Sequence, residues 1–357
     1  MNRYWSKQIE ALDPYTPGEQ PRDQQYIKLN TNENPYPPSP SIAGVIRDYD
    51  IGRLRRYPDP ESQELIESLA TYHGLESNQV FVGNGSDEVL AHAFQAFFKQ
   101  DDPILFPDIS YSFYPVYCKL FQIEYQQPAL DGEFCITIRD YASTNGGIII
   151  PNPNAPTGIA LEIAAIRELL ADNPESVVII DEAYVDYGAE SARQLIPEFP
   201  NLLVVRTFSK SRSLAGLRLG YALGHKDLIE ALQRVKNTFN SYPIDCLASA
   251  VALASIADED YFQECRKRVI ASRGRLTTEL QQLGFEVFQS SSNFVLVRHD
   301  KEPAETLYLE LKAAGILVRY FNQARIENCL RISIGSDPEC DALIAALNTI
   351  INQENRS

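Results

Sequence analysis

The chain has 357 residues, 44% of them hydrophobic, and 32 basic against 48 acidic side chains give a net charge of −16. That much apolar material fills a substantial core, and the length suits two domains or one large one. So acidic a chain argues against nucleic acid or an anionic membrane as a partner, and any anionic ligand must be held by a local cluster of cations.

The first 40 residues are rich in Pro, Asn and Tyr and read as an extended arm. From about residue 60 short β-branched runs alternate with amphipathic segments. Strands are predicted at 79–83, 103–106, 121–125, 147–151, 176–181 and 201–207, with helices at 87–98 and 161–172 and a looser segment near 188–197. Such alternation predicts an α/β fold with a mainly parallel sheet covered on both faces. After about residue 258 a long charged helix (258–284) precedes the strands EVFQ and NFVLVR, a helix near 303–314, LRISIG and a last helix at 337–352. This reads as a smaller α+β unit that shares its surface with the arm. The domain division expected is an arm at 1–45, a large domain at 46–262 and a small one at 263–357.

MNRYWSKQIEALDPY lacks the apolar core of a signal peptide, and no run of about 18 apolar residues follows it, which predicts a cytoplasmic chain with no membrane span. The six cysteines, at 118, 135, 246, 265, 329 and 340, form no Cys-x-x-Cys pair and none sits beside a histidine at ligand spacing. Neither disulfides nor a metal site is expected.

Three constellations carry chemistry. In GNGSDE (83–88) a glycine-rich turn opens a helix, so the N–H groups of Ser86 and Asp87 suit an anion, although a capped turn alone would look the same. In IIDEAY (179–184) Asp181 ends an apolar strand, where ligand sites of such sheets lie, or else it caps a helix. The sharpest is TFSKSRSLAGLRLGY (207–221). Lys210 follows an apolar strand, where suitable surroundings can make a lysine a nucleophile toward an aldehyde, and Ser209 and Arg218 offer a hydroxyl and a guanidinium to a phosphate. The plain alternative is a basic surface loop, against which the small and apolar setting of Arg218 argues.

Together these segments resemble the fold-type-I pyridoxal-phosphate aminotransferases. NPNAPTG (152–158) is similar to the family's Asn-Pro-Thr-Gly turn, and LNTNENPYPPSP (29–40), RYPDP (56–60) and LRISIG (330–335) fall in family order. The arm and the LRISIG ending look most like histidinol-phosphate aminotransferases. The resemblance implies that Lys210 carries pyridoxal 5′-phosphate as a Schiff base and shuttles a proton, while Asp181 pairs with the ring nitrogen. It implies that Tyr184 donates to the ring oxygen, that Tyr111 stacks on the ring, and that Ser86, Asp87, Ser209 and Arg218 hold the phosphate. Tyr57 is expected to reach that phosphate across a homodimer interface.

One position departs from the pattern. The asparagine usual before Pro-Thr-Gly is Ala155 here, and Asn154 is the expected substitute. Arg331 in LRISIG matches the family's substrate-binding arginine, and Arg319 in GILVRYF is a second candidate. The expected reaction is ping-pong transamination of histidinol phosphate with 2-oxoglutarate. Two enzyme alternatives stay open: an aromatic-amino-acid aminotransferase and an amino-alcohol-phosphate decarboxylase. A cofactor-sensing regulator would need an attached DNA-binding domain, for which the chain has neither spare length nor basic charge.

Overall fold

The computed structural model describes residues 3–354 except Ala11 and Arg22. The outermost ends of the expected arm and small domain, 1–2 and 355–357, lie outside the described residues. The arm holds α1 (Lys7–Glu10) and β1 (Ile27–Lys28), and α2 (Ser41–Arg47) and α3 (Gln63–His73) follow. Next come β2 (Val80–Gly83), α4 (Gly85–Phe97), β3 (Ile104–Leu105), α5 (Tyr114–Phe121) and β4 (Tyr125–Gln126). Then follow β5 (Ile148–Pro151), α6 (Ile163–Asp172), β6 (Val178–Asp181), β7 (Leu202–Thr207) and β8 (Gly220–Gly224).

These seven later strands form one sheet in the order β2-β8-β7-β6-β5-β3-β4, in which only β8 runs antiparallel to its neighbours. Every residue of β5, β6 and β7 is buried, as strands covered on both faces must be. Side-chain alternation sorts them into two cores. Ile148, Ile150 and Val204 pack on one face with Leu65 and Val251, while Ile149, Leu203 and Val205 pack on the other with Phe81 and Phe94. The chain is therefore an α/β protein.

Two expectations shift. The strand foreseen at 121–125 survives only as β4, because YPVYCKLF carries helical spacing, Pro115 sets the helix start, and Gln122 at φ +57° closes it. The antiparallel β8 was not foreseen, since GYALG is short and bounded by glycines.

The remainder comprises α7 (Lys226–Phe239), α8 (Cys246–Ala257), α9 (Glu259–Gln282), β9 (Phe285–Val287) and β10 (Phe294–His299). After them come α10 (Ala304–Ala313), β11 (Ile316–Leu317), β12 (Arg319–Tyr320), β13 (Leu330–Ser333) and α11 (Asp337–Glu354). The second sheet has the order β12-β13-β10-β9. The arm is stitched to this unit, because β1 pairs parallel with β11, and Leu29 and Tyr36 join a core with Val295, Leu330 and Ile332. The expected boundary at 262 falls inside α9, a continuous helix. Among the described residues no helix is long and apolar enough to cross a membrane.

Candidate active site

A cavity of about 510 Å³ opens where β5, β6 and β7 end, with Pro151, Asp181 and Thr207 on its floor. Carboxyl ends of strands are where open α/β sheets bind ligands, because the chain must leave the sheet there and exposes its loops. The arm, through Tyr15 and Asn30 to Glu33, and the second sheet, through Arg319 and Arg331, form the other wall. All the expected site residues line this cavity except Asn154 and Tyr57.

Asp181 is buried, and its oxygens accept only neutral donors: Tyr114 Oη at 2.9 Å and the Ala183 N–H at 3.2 Å. No cation lies within ion-pair distance of it among the described residues. Burial pushes its carboxyl up to about 6, although Tyr114, Ala183 and the more distant Lys210 work the other way. A buried carboxylate without a counter-charge is expensive, and a proton-bearing nitrogen placed against it would relieve that penalty.

Lys210 lies on the loop after β7, and its Nζ donates to the Thr31 carbonyl at 3.2 Å. Nearby, α4 begins at Gly85, so the N–H groups of Ser86 and Asp87 have no acceptor within the helix. A side chain at Gly220 would stand 2.3 Å from Ser86 N, so glycine at the start of β8 lets the strand pass against this helix end. Arg218, held at the left-handed φ of +53°, reaches Asp87 Oδ2 at 2.9 Å, and Asp87 Oδ1 accepts from Tyr111 Oη at 3.1 Å. Burial, with the Asp87 charge added, drives the Tyr111 phenol upward, so it stays protonated.

Tyr184 Oη accepts from Asn32 Nδ2 at 3.0 Å, and its ring meets Phe294 edge-on. Arg319 and Arg331 are direct register partners across β12 and β13. Neither guanidinium is paired with a carboxylate among the described residues. Burial holds the Arg331 guanidinium below its ordinary value, and Arg319 adds to the effect. Arg331 Nε is buried without a partner, and the guanidinium rests 5.3 Å from the Phe294 ring centre. Like charges opposed across strands are unfavourable, so the pair presents a receptor for an anion.

Asn154 is directed elsewhere. Its Nδ2 donates to the Ile109 carbonyl at 2.9 Å and to Thr157 Oγ1 at 3.0 Å, which leaves the donor-free Ala155 on the cavity wall. Tyr57 is 82% exposed and stacks on Tyr242 in a separate groove of about 840 Å³. Sequence reasoning passed over Tyr114 and Asn32. Tyr114 carried no signal among 19 tyrosines, whereas Asn32 stood in the asparagine-rich arm.

The donor set fits pyridoxal phosphate. Asp181 awaits a protonated ring nitrogen, Lys210 offers a primary amine, Tyr184 and Tyr111 flank with hydroxyl and ring, and the start of α4 with Ser209 and Arg218 suits a phosphate.

Comparison with known proteins gives the setting. Residues 24–347 match the family model described as aminotransferase class I and II. The chain is 56% identical over 355 residues to histidinol-phosphate aminotransferase 1 of Hydrogenovibrio crunogenus, covering 99% of this chain and 100% of that one. It is 50% identical over 356 residues to the histidinol-phosphate aminotransferase of Clostridium beijerinckii, covering 100% and 99%. The crystal structure of histidinol-phosphate aminotransferase from Sinorhizobium meliloti in complex with pyridoxal-5′-phosphate superposes with a TM-score of 0.89 over 98% of each chain. At 24% identity that likeness speaks for the fold.

Proposed function

The chain belongs to the class I and II aminotransferases, and from that premise we propose that it moves the amino group of histidinol phosphate to 2-oxoglutarate, yielding imidazole-acetol phosphate and glutamate in histidine biosynthesis. The observation that carries the substrate is the cross-strand pair Arg319 and Arg331, two guanidiniums without carboxylates facing the cavity. A phosphate dianion answers both, and so do the carboxylates of glutamate in the second half-reaction.

Bound pyridoxal phosphate supplies the electron sink for the pair left on the substrate carbon when its proton departs. Asp181, ionised against that ligand, keeps the proton on the ring nitrogen. Lys210 Nζ would hold the cofactor through its aldehyde carbon and, as a free amine, would take and return the proton at the substrate's Cα. Tyr184 would donate its phenol proton to the ring oxygen, and Tyr111 would stand against the ring. Ser86, Asp87, Ser209 and Arg218 hold the phosphate, the Asp87 carboxylate serving to aim Arg218.

We also place a second copy of the chain on the Tyr57 groove. Tyr57, Ile51 and Phe239 are all about four-fifths exposed, a poor surface for a lone protomer. In a homodimer Tyr57 reaches the partner's cofactor phosphate. We read residues 46–262 as the cofactor-binding domain and 263–357 as the small domain, with the arm at 1–45 belonging to the latter and to the dimer contact. All six cysteines are free, which suits the cytoplasm.

The test is a panel of amino donors against 2-oxoglutarate. Histidinol phosphate should exceed any aromatic amino acid in kcat/KM by at least about tenfold, roughly 1.4 kcal/mol. Lys210→Ala should abolish turnover with the fold retained. Preference for a donor without phosphate would overturn the substrate, and near-normal turnover by Lys210→Ala would overturn the mechanism.

A further inference from the structure

Five consecutive arm residues, Asn30 to Asn34, reach into the site from outside the sheet that bears it. The Asn30 carbonyl accepts from Arg331 Nη2 at 2.9 Å, and the Thr31 carbonyl from Lys210 Nζ at 3.2 Å. Asn34 Nδ2 donates to the carbonyls of Lys210 and Ser211, each at 3.2 Å. At the centre is Asn32, 1% exposed and held at the left-handed φ of +56°.

The contacts around Asn32 assign which way its amide points. Its backbone N–H donates to Ser333 Oγ at 2.9 Å, so the serine proton is free to go to Asn32 Oδ1, also at 2.9 Å. The backbone carbonyl accepts from Asn293 Nδ2 at 2.9 Å, which ties the loop to the second sheet. With Oδ1 committed to Ser333, the group facing Tyr184 is the NH₂, and an NH₂ only donates. In that orientation Tyr184 Oη accepts from Asn32, and the phenol proton lies off that contact. It is left to the cavity, which Tyr184 lines. On the same cavity wall Ala155 has no donor, and the NH₂ of Asn154 is spent on Ile109 and Thr157.

We propose that Asn32 is a positioning residue that, by donating to Tyr184 Oη, aims the phenol proton into the cavity at the ring oxygen of the cofactor. The inference rests on the reading of this cavity as a pyridoxal-phosphate site. A donor on the phenol oxygen also polarises the O–H bond and makes it the stronger donor. The arm thereby controls a proton whose residue sits at the end of the large sheet.

Asn32→Asp is the sharpest change, because aspartate matches the size and tolerates positive φ, while its carboxylate accepts where the amide donated. The phenol proton then turns toward the arm and away from the cavity. In the cofactor-loaded protein, the pH midpoint of the visible absorption band should rise by about one unit, since a donor at the ring oxygen favours its anionic form. kcat should fall by roughly tenfold to 100-fold, with KM for the amino donor within about twofold, because the arginines are untouched. If Asn32 acts through Tyr184, the same change in a Tyr184→Phe background should add nothing further.

A shift of equal size with and without the Tyr184 hydroxyl would make Asn32 merely structural and overturn the proposal, as would no shift in a folded variant. Should Asn32→Asp not fold, Ser333→Ala releases the amide to flip and should give a smaller rise of the same sign; a folded Ser333→Ala with an unchanged midpoint overturns the idea equally. A wild-type protein with no visible band at saturating pyridoxal phosphate would instead sink the cofactor reading, and this inference with it.

Discussion

At the floor of the cavity a carboxylate stands without a cation, and at the wall formed by the second sheet two guanidiniums stand without a carboxylate. Two arginines near the cavity are paired with acids instead. Arg206 is buried against Asp186, and Arg212 meets Glu259 at 3.1 Å. The difference teaches where a ligand belongs, because a desolvated charge persists unpaired only where something else completes it. It also sets the ligand's polarity: a cation toward Asp181, an anion toward Arg319 and Arg331. Histidinol phosphate on pyridoxal phosphate has that polarity, with a protonated ring nitrogen at one end and a phosphate at the other.

The substrate end should yield the largest effect. Arg331→Ala removes the guanidinium whose Nε is buried without a partner, and each half-reaction should lose about 2–5 kcal/mol in its specificity constant, the usual order when one partner of a desolvated charge pair is deleted. Arg331→Lys should recover only part of the loss, because an ammonium lacks the planar fork. Single-turnover kinetics with histidinol phosphate and with glutamate separate the halves. Damage confined to glutamate would hand the phosphate to Arg319 and break the idea of one shared anion end.

The two ends also differ in how much of them the sequence discloses. Asp181, Lys210 and Ser86 follow apolar strands, and a strand's carboxyl end is readable from its run of β-branched residues. The partners of the other end are set by pairing between remote segments. That Arg319 faces Arg331 depends on the register of β12 with β13, and that Asn32 meets Tyr184 depends on β1 pairing with β11. No local pattern encodes either contact. Asn154 shows the same limit from the other side: it stands one residue from the expected position, yet the turn gives its amide to Ile109. The parallel core of the sheet was legible for the reason Lys210 was, whereas β8 was hidden because it is short and bounded by glycines, of which Gly220 makes room for a helix end.

The floor can be tested through pH. Asp181 has its folded pKa raised from 3.8 to about 6, chiefly by burial. Between those values the folded cofactor-free protein binds more protons than the unfolded chain, so stability falls as pH rises through the window and levels off above it. The difference between wild type and Asp181→Asn, measured by urea unfolding without cofactor, should therefore decline from about pH 4 to about pH 6, by at most about 3 kcal/mol. Glu182, which burial lifts to about 7, is common to both proteins and cancels. Saturating pyridoxal phosphate should remove the decline, while turnover of Asp181→Asn drops at least roughly 100-fold. A flat difference in the cofactor-free protein would mean that Asp181 is not an uncompensated charge.

The smallest effect tests whether the second sheet stores the complementary strain. Arg319 lies opposite Arg331 with no acid in ion-pair contact with either among the described residues, although the Glu19 carboxylate attracts Arg319 from farther off, and a like pair across strands is unfavourable by about 0.2–1 kcal/mol. Arg319→Ala should accordingly stabilise the substrate-free protein by up to about 1 kcal/mol, less whatever is lost with its contact to Phe321, 5.7 Å from the guanidinium carbon. The gain should shrink as salt is added, because Arg319 is only half-buried and its repulsion is screened. Binding should move the other way. Losing one charge-assisted contact to the phosphate should raise KM for histidinol phosphate by roughly tenfold, about 1.5 kcal/mol. Opposite signs in stability and affinity distinguish a ligand-binding charge from a structural one, for which both would fall together. If KM holds steady while stability rises, the phosphate belongs to Arg331 alone, and the anion end of the cavity has one working arginine.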